Sequence, residues 1–215
     1  MSNTTKPWKL SPSDFKYLWE ECKHCFWRKV HLGEYRPSIF PSIFNKMSGM
    51  LQKNVIGVNP ATLIEGMPDG KFVLQEGFLD SKLLPSGQSY IKGRFDLLTR
   101  FKDGTYGVID LKMTNARDED LDKFDRQLHA YKYALENPKD RDPIKINKLG
   151  LLIVEPTDIK PHDKRVYYKA KPVWKEISID MNKFFQFIEK VEELLAGPEP
   201  DPQADCKFCS YRYHL

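Results

Sequence analysis

Apolar residues near the start of the chain recur with helical spacing. Ser11 suits an N-cap, Pro12 the first helical position and Asp14 the positive helix end. A helix is predicted from there through Phe15, Leu18, Trp19, Phe26 and Trp27 towards Gly33. A second follows Pro41 through Ile43, Phe44, Met47, Met50, Leu51 and Val55 to a stop at Gly57. From Lys71 the period changes to that of strands, first "KFVLQEGFLD" and then a hairpin over residues 91–114. Asp118 to Glu136 returns to helical spacing, with Phe124, Leu128, Tyr131 and Leu135 as its stripe. "INKLGLLIVEP" reads as a buried strand and "RVYYKAKPVWKEISID" as one or two more. Met181 to Ala196 is a further helix, stopped by Gly197-Pro198, and "GPEPDPQAD" is a stiff linker after it.

The hairpin carries charges that its apolar strands do not explain. Asp96 lies in "GRFDLL", and Asp110 and Lys112 lie in "GVIDLK", where a strand covered on both faces should hold none. A two-residue Asp103-Gly104 loop would put the aspartates on opposite faces. Lys102-Asp103-Gly104 better suits a three-residue loop, a type I turn closed by a left-handed glycine. Phe101 then pairs with Thr105, Asp96 falls across from Asp110, and Lys112 points to the same face. Opposed carboxylates about 4.5–5.5 Å apart at Cβ can share one small divalent cation at about 2.0–2.1 Å. A bound Mg²⁺ would offset the cost of burying them, polarise a phosphoryl oxygen and activate water, with Lys112 orienting that water or stabilising developing charge. A lone structural Asp–Lys pair at a sheet edge is the plainer alternative.

All four cysteines fall in two C-x-x-C pairs, Cys22/Cys25 and Cys206/Cys209, near opposite ends of the chain. Two such pairs make the four-thiolate set used by Zn²⁺ or an iron–sulfur cluster, and so predict a metal centre that staples the chain ends. His24 and His214 lie near the thiols without being needed as ligands, while His31, His129 and His162 read as surface or core residues.

The 215 residues suit one domain, and a net charge of +4 permits a polyanionic partner without requiring one. No apolar stretch approaches the roughly 20 residues of a membrane span, and the opening "MSNTTKPWKLSPSD" lacks the apolar core of a signal peptide. The expectation is a cytoplasmic protein with no membrane partner.

"GRFD", then "IDLK", then "QLHAY" resemble the motifs of the PD-(D/E)XK nuclease superfamily, within it the RecB-like exonucleases with a Gln-x-x-x-Tyr helix. Asp96 matches the second-motif aspartate, Asp110 and Lys112 the acid-x-Lys motif, and Gln127 and Tyr131 the helix motif. The carbonyl between acid and lysine, here that of Leu111, often completes the family's metal site. Without the hairpin, Tyr131 would read as a core aromatic and Gln127 as a surface amide. The resemblance implies an α/β fold, a mixed β-sheet flanked by helices, forming one nuclease domain over residues 1–215. Within it, residues 1–60 form an N-terminal helical segment, 70–180 the catalytic core, and 181–215 the last helix and second cysteine pair.

It further implies a Mg²⁺- or Mn²⁺-dependent deoxyribonuclease, an exonuclease on single-stranded or end-bearing DNA. Protein partners would belong to DNA repair, recombination or CRISPR adaptation. CRISPR-associated relatives carry a [4Fe–4S] cluster on one upstream and three downstream cysteines, whereas this chain has two and two, which keeps Zn²⁺ as the alternative. Those relatives often place a histidine ligand on an early helix; the corresponding helix here offers Gln52 or Asn54 instead. That departure favours the rival reading, a catalytically decayed DNA-binding module that keeps the Cys₄ centre for structure.

Overall fold

The strand Ser89–Phe101, which pairs with three others, is the axis of the structure, a computed structural model that describes residues 6–37, 42–114 and 121–214. In chain order the strands are β1 (Trp8–Leu10), β2 (Gly70–Leu83), β3 (Ser89–Phe101), β4 (Tyr106–Lys112), β5 (Ile146–His162) and β6 (Arg165–Ile177). The helices are α1 (Pro12–Lys16), α2 (Leu18–Glu21), α3 (Lys23–Leu32), α4 (Ser42–Val55), α5 (Pro60–Leu63), α6 (Leu121–Glu136), α7 (Met181–Ala196) and α8 (Lys207–Tyr213). They form a mixed six-stranded sheet with helices on both faces.

β2 runs antiparallel along one side of β3. The other side is shared: β1 pairs in parallel with Ser89 to Ile91, and β4 pairs antiparallel with Leu97 to Arg100. Residues 92–96 therefore face a gap between β1 and β4. β5 continues the sheet parallel to β4, as a helical crossover through α6 requires, and β6 closes it antiparallel.

One face packs under α1, α3, α6 and α7 through Phe15, Phe26, Leu128, Leu135, Phe187 and Val191. The other packs under α4 and α5, where Val55 and Ile64 meet Phe72, Leu97, Ile109 and Leu152. Helix α7 shows why its residues form a helix: the Asp180 carboxylate accepts from the Lys183 N–H at 2.9 Å, and Phe184, Ile188, Val191 and Leu195 recur on the buried side. No helix among the described residues is long and apolar enough to cross a membrane.

The expected helix from Ser11 to Gly33 is instead three short ones. Cys22 is extended (φ −166°) and caps α3, its Sγ accepting from the Cys25 N–H at 3.4 Å. The break makes the Cys22 thiol the cap of the helix that carries Cys25. The expected helix following Pro41 is α4, and Pro41 itself lies outside the described residues, as do Asp118 to Asp120 of the helix expected from Asp118. β5 runs past Pro156, and beyond Glu155 it pairs with β6 alone as an exposed ribbon. Asp163 and Lys164 at its tip both have positive φ, as a tight two-residue hairpin demands.

Gly77 on β2 allows a close approach that no other residue would. A Cβ there would sit 2.2 Å from the ring of Phe95, the cross-strand neighbour that covers it. Gly77→Ala should push Phe95 out of the core and cost about 1–3 kcal/mol. Urea titration of the two proteins checks this, and an unchanged midpoint would remove Phe95 as the reason for the glycine.

Candidate active site

The β3–β4 turn determines which charges meet. The Phe101 N–H donates to the Thr105 carbonyl at 2.9 Å, the Gly104 N–H to the Phe101 carbonyl at 3.1 Å, and Gly104 has φ +83°. The loop is thus Lys102-Asp103-Gly104, and its register pairs Leu97 with Ile109. Asp96 and Asp110 are the next residues out, and there the ladder stops.

It stops because β3 kinks. Ile91 and Phe95 pack with Leu98 on one face, while Leu97 and Phe101 pack on the other, so the strict alternation of a strand fails at Asp96. Instead of a main-chain carbonyl, the Asp96 carboxylate takes the Leu111 N–H at 2.8 Å. The N–H and C=O of a strand residue point the same way, so the Leu111 carbonyl also faces the gap beside β3.

Asp110 is buried, with 1% of its surface exposed. Its Oδ1 accepts from Gln127 Nε2 at 3.2 Å, and the same amide donates to the Tyr131 hydroxyl. Lys112 Nζ lies 2.7 Å from Asp110 Oδ2 but off the line of a hydrogen bond, which leaves that buried oxygen without a directed donor among the described residues. Gln127 Oε1 is also buried, with no partner among the described residues.

Burial, then the Asp110 charge, pushes the Asp96 carboxyl up to about 7, against the pull of Lys112. Burial alone would push the Lys112 ammonium down, but Asp110 and Asp96 hold it above its usual value. Burial and the same carboxylates raise the Tyr131 phenol, which therefore stays protonated. A group with too much negative charge for its burial and an undirected carboxylate oxygen suits a small divalent cation, so Asp96, Asp110 and the Leu111 carbonyl fit a Mg²⁺ or Mn²⁺ site.

The strand pattern did not single out Glu76. It faces Asp96 across β2–β3, between the pairs Gln75–Leu97 and Gly77–Phe95, and has φ +45°, rare for a residue with a side chain. Its charge adds to those that raise the Asp96 carboxyl. Of the two amides on α4 offered as stand-ins for the histidine, Asn54 is exposed and donates to the Met50 carbonyl. Gln52 is buried, its Oε1 without a partner among the described residues, but its neighbours Leu51 and Val55 pack with Leu97, Ile109 and Leu111, on the face away from α6. His129 bridges helices, with Nδ1 at 2.8 Å from the Asp125 carbonyl and Nε2 accepting from the Asp180 N–H.

At the far end of the helical layer, the four cysteines meet. Their Sγ atoms all lie within 4.8 Å of one another, buried and free of disulfides. Burial pushes the Cys22 thiol up to about 11 and the Cys25 thiol up as well, whereas Cys206, despite its burial, is held below its usual value by hydrogen bonds from the Cys209 and Phe208 backbone. His24 is spoken for: Nδ1 lies 2.7 Å from the Pro200 carbonyl and Nε2 3.1 Å from the Tyr213 hydroxyl. The group fits a metal ion.

The family model of the PD-(D/E)XK nuclease superfamily matches residues 55–213, and the chain belongs to that superfamily. No curated protein sequence matches it. A solved structure titled "Crystal structure of SSO0001" is similar with a TM-score of 0.48 and 14% identity, over 99% of this chain and 88% of that chain. The chain is thus a nuclease by family, with a divalent-metal chemistry and a cysteine cluster able to hold a metal.

Proposed function

We propose that the protein is a Mg²⁺- or Mn²⁺-dependent deoxyribonuclease that acts on single-stranded DNA or from DNA ends. The observation that carries this is the meeting of Asp96, Asp110 and Lys112 at the end of the β3–β4 ladder, beside the gap where β3 is paired only with β2. The resemblance of the Gln127/Tyr131 helix to RecB-like exonucleases supports action from ends, and extends to partners in DNA repair, recombination or CRISPR adaptation.

Asp96, Asp110 and the Leu111 carbonyl would hold the ion. When bound, it supplies a polarised phosphoryl oxygen and an activated water. Lys112, kept cationic by two carboxylates, stabilises the charge that develops on the phosphate. Gln127 fixes Asp110, and Tyr131, which accepts from Gln127, keeps its own proton to donate to the DNA backbone. Cleavage of 5′- and 3′-labelled single- and double-stranded DNA with Mg²⁺, Mn²⁺ or EDTA tests the proposal. DNA binding that weakens with salt, without cleavage under any of these conditions, would favour the decayed binding module.

Glu76 adds to the negative field at Asp96 from an exposed position, so Glu76→Gln should weaken divalent-ion binding by up to about 1 kcal/mol. A Mn²⁺ titration of activity reads this as a several-fold higher half-saturating concentration, with the rate at saturation little changed.

The raised Asp96 carboxyl also makes a pH prediction. Its folded value, about 7, is above the ordinary 3.8, so the folded protein binds more protons than the unfolded chain between those values. Its contribution to stability is full below about pH 4 and lost as pH rises through about 7. Asp96→Asn should therefore raise the melting temperature at pH 8 without added Mg²⁺ or Mn²⁺, and do so less at pH 5. An equal shift at both values would show that Asp96 is not the titrating group.

A further inference from the structure

We infer that the four cysteines hold a single tetrahedral zinc ion rather than an iron–sulfur cluster. The spacing of the sulfurs carries the inference. Cys22 and Cys209 Sγ are 3.6 Å apart, Cys25 and Cys209 3.6 Å, and Cys25 and Cys206 3.9 Å. Four thiolates at about 2.3 Å from one tetrahedral ion lie about 3.8 Å from one another. In a [4Fe–4S] cluster each thiolate binds its own iron at a separate corner, which sets the thiolates roughly 6 Å apart. Fitting the cluster would move each sulfur outward by roughly 1.5 Å.

The surroundings resist that expansion. Cys22 and Cys209 are 1% and 0% exposed and belong to the same packed core as Phe15, Leu18 and Phe26. The cavity beside Cys25, lined by His24, Arg28, Arg36 and Phe208, measures only about 10 Å³, room for about one water.

The two halves are also built alike, as a centre with two equivalent bites needs. Cys22 is the extended N-cap of α3 and Cys25 lies three residues on; Cys206 is the extended N-cap of α8 and Cys209 lies three residues on. Each pair thus turns two sulfurs to one side of a helix start. Between the halves, Gln203 accepts from the Lys23 N–H at 2.8 Å and Trp27 donates to the Gly197 carbonyl at 3.3 Å, holding the linker along α3. Arg36, whose charge is felt by Cys206 and Cys25, lies beside the thiolates and helps offset the negative charge of a Cys₄ zinc site.

Zinc has no redox chemistry of its own, so the centre is a structural staple that carries no electrons. The test is elemental analysis of the full chain, expressed with added iron and cysteine and purified without oxygen, conditions that favour a cluster. The expected result is about one zinc per chain, negligible iron and sulfide, and a colourless solution. Exchange with Co²⁺ should give the intense visible bands of tetrahedral cobalt thiolate, lost in Cys25→Ser. About four iron and four sulfide per chain with broad visible absorption would overturn the inference. So would one iron without sulfide, or four freely titratable thiols with no metal. None of these readouts depends on DNA cleavage, so the fate of the nuclease reading is decided separately.

Discussion

Lys112→Ala and Asp110→Asn should each lower the rate of DNA cleavage by at least about 10²–10³-fold at saturating Mg²⁺ or Mn²⁺. Asp110 is buried, and its carboxylate is where Lys112, Gln127 and, by the register, Asp96 converge. Asparagine can still accept from Gln127 Nε2 but brings no charge to an ion. Lys112 holds the cation that the buried carboxylates keep ionised. Its loss at the phosphate is a loss of transition-state stabilisation, so the rate should fall while substrate binding changes little. Alanine at 112 also leaves Asp110 without its ammonium, which lowers stability. Lys112→Met, which keeps most of the side chain's bulk, separates that effect from chemistry. Single-turnover cleavage alongside thermal melting makes the measurement. A Lys112→Met protein that is folded and cleaves at the wild-type rate would place the active site elsewhere.

The register behind this prediction was legible because one glycine decides it. Lys102-Asp103-Gly104 allows a three-residue loop, the observed φ of +83° at Gly104 needs no side chain, and the pairing of Leu97 with Ile109 follows by counting. The helix stripe of Phe124, Leu128, Tyr131 and Leu135 was equally plain, because burial on one face repeats every turn. Other features are tertiary and leave little local trace. β1 is three residues long and pairs only with the start of β3, so nothing local predicts the gap it leaves beside Asp96. Glu76 reads in "LQEGF" as an ordinary solvated strand acid, since its unusual φ and its place opposite Asp96 come from the kink between the strands. The missing signal there was Gly77: a glycine inside a strand pattern suggests a bulge or a close approach, and here it marks the close approach of Phe95. The break at Cys22 escaped because Phe15 to Trp27 keep helical spacing across it. The cysteine spacing itself was the clue that the thiols, not the apolar stripe, set the local geometry.

Cys22→Ser should destabilise the protein by several kcal/mol and let the chain ends come apart. Serine keeps the local role of this residue, because its hydroxyl can cap α3 as the thiol does, accepting from the Cys25 N–H. What it removes is one ligand of a metal that joins residues as far apart in sequence as Cys25 and Cys206, 181 positions. By analogy with a disulfide closing a loop of 100 residues or more, such a link is worth about 3–5 kcal/mol, and metal binding adds its own coupling to folding. For a chain of this size that is about 10 °C in melting temperature. The loss should be uneven. α3 and α8 meet through the thiols, while α7 still packs on α6 and β3 stays paired on both sides. Hydrogen exchange should therefore quicken first in α3, the linker from Gly197 and α8, and last in β3 and β4. DNA cleavage at low temperature should persist, since Asp96, Asp110 and Lys112 share no element with the cysteines. A melting temperature within a degree of wild type, with exchange in α3 unchanged, would mean that the four thiols gather without a metal to hold them.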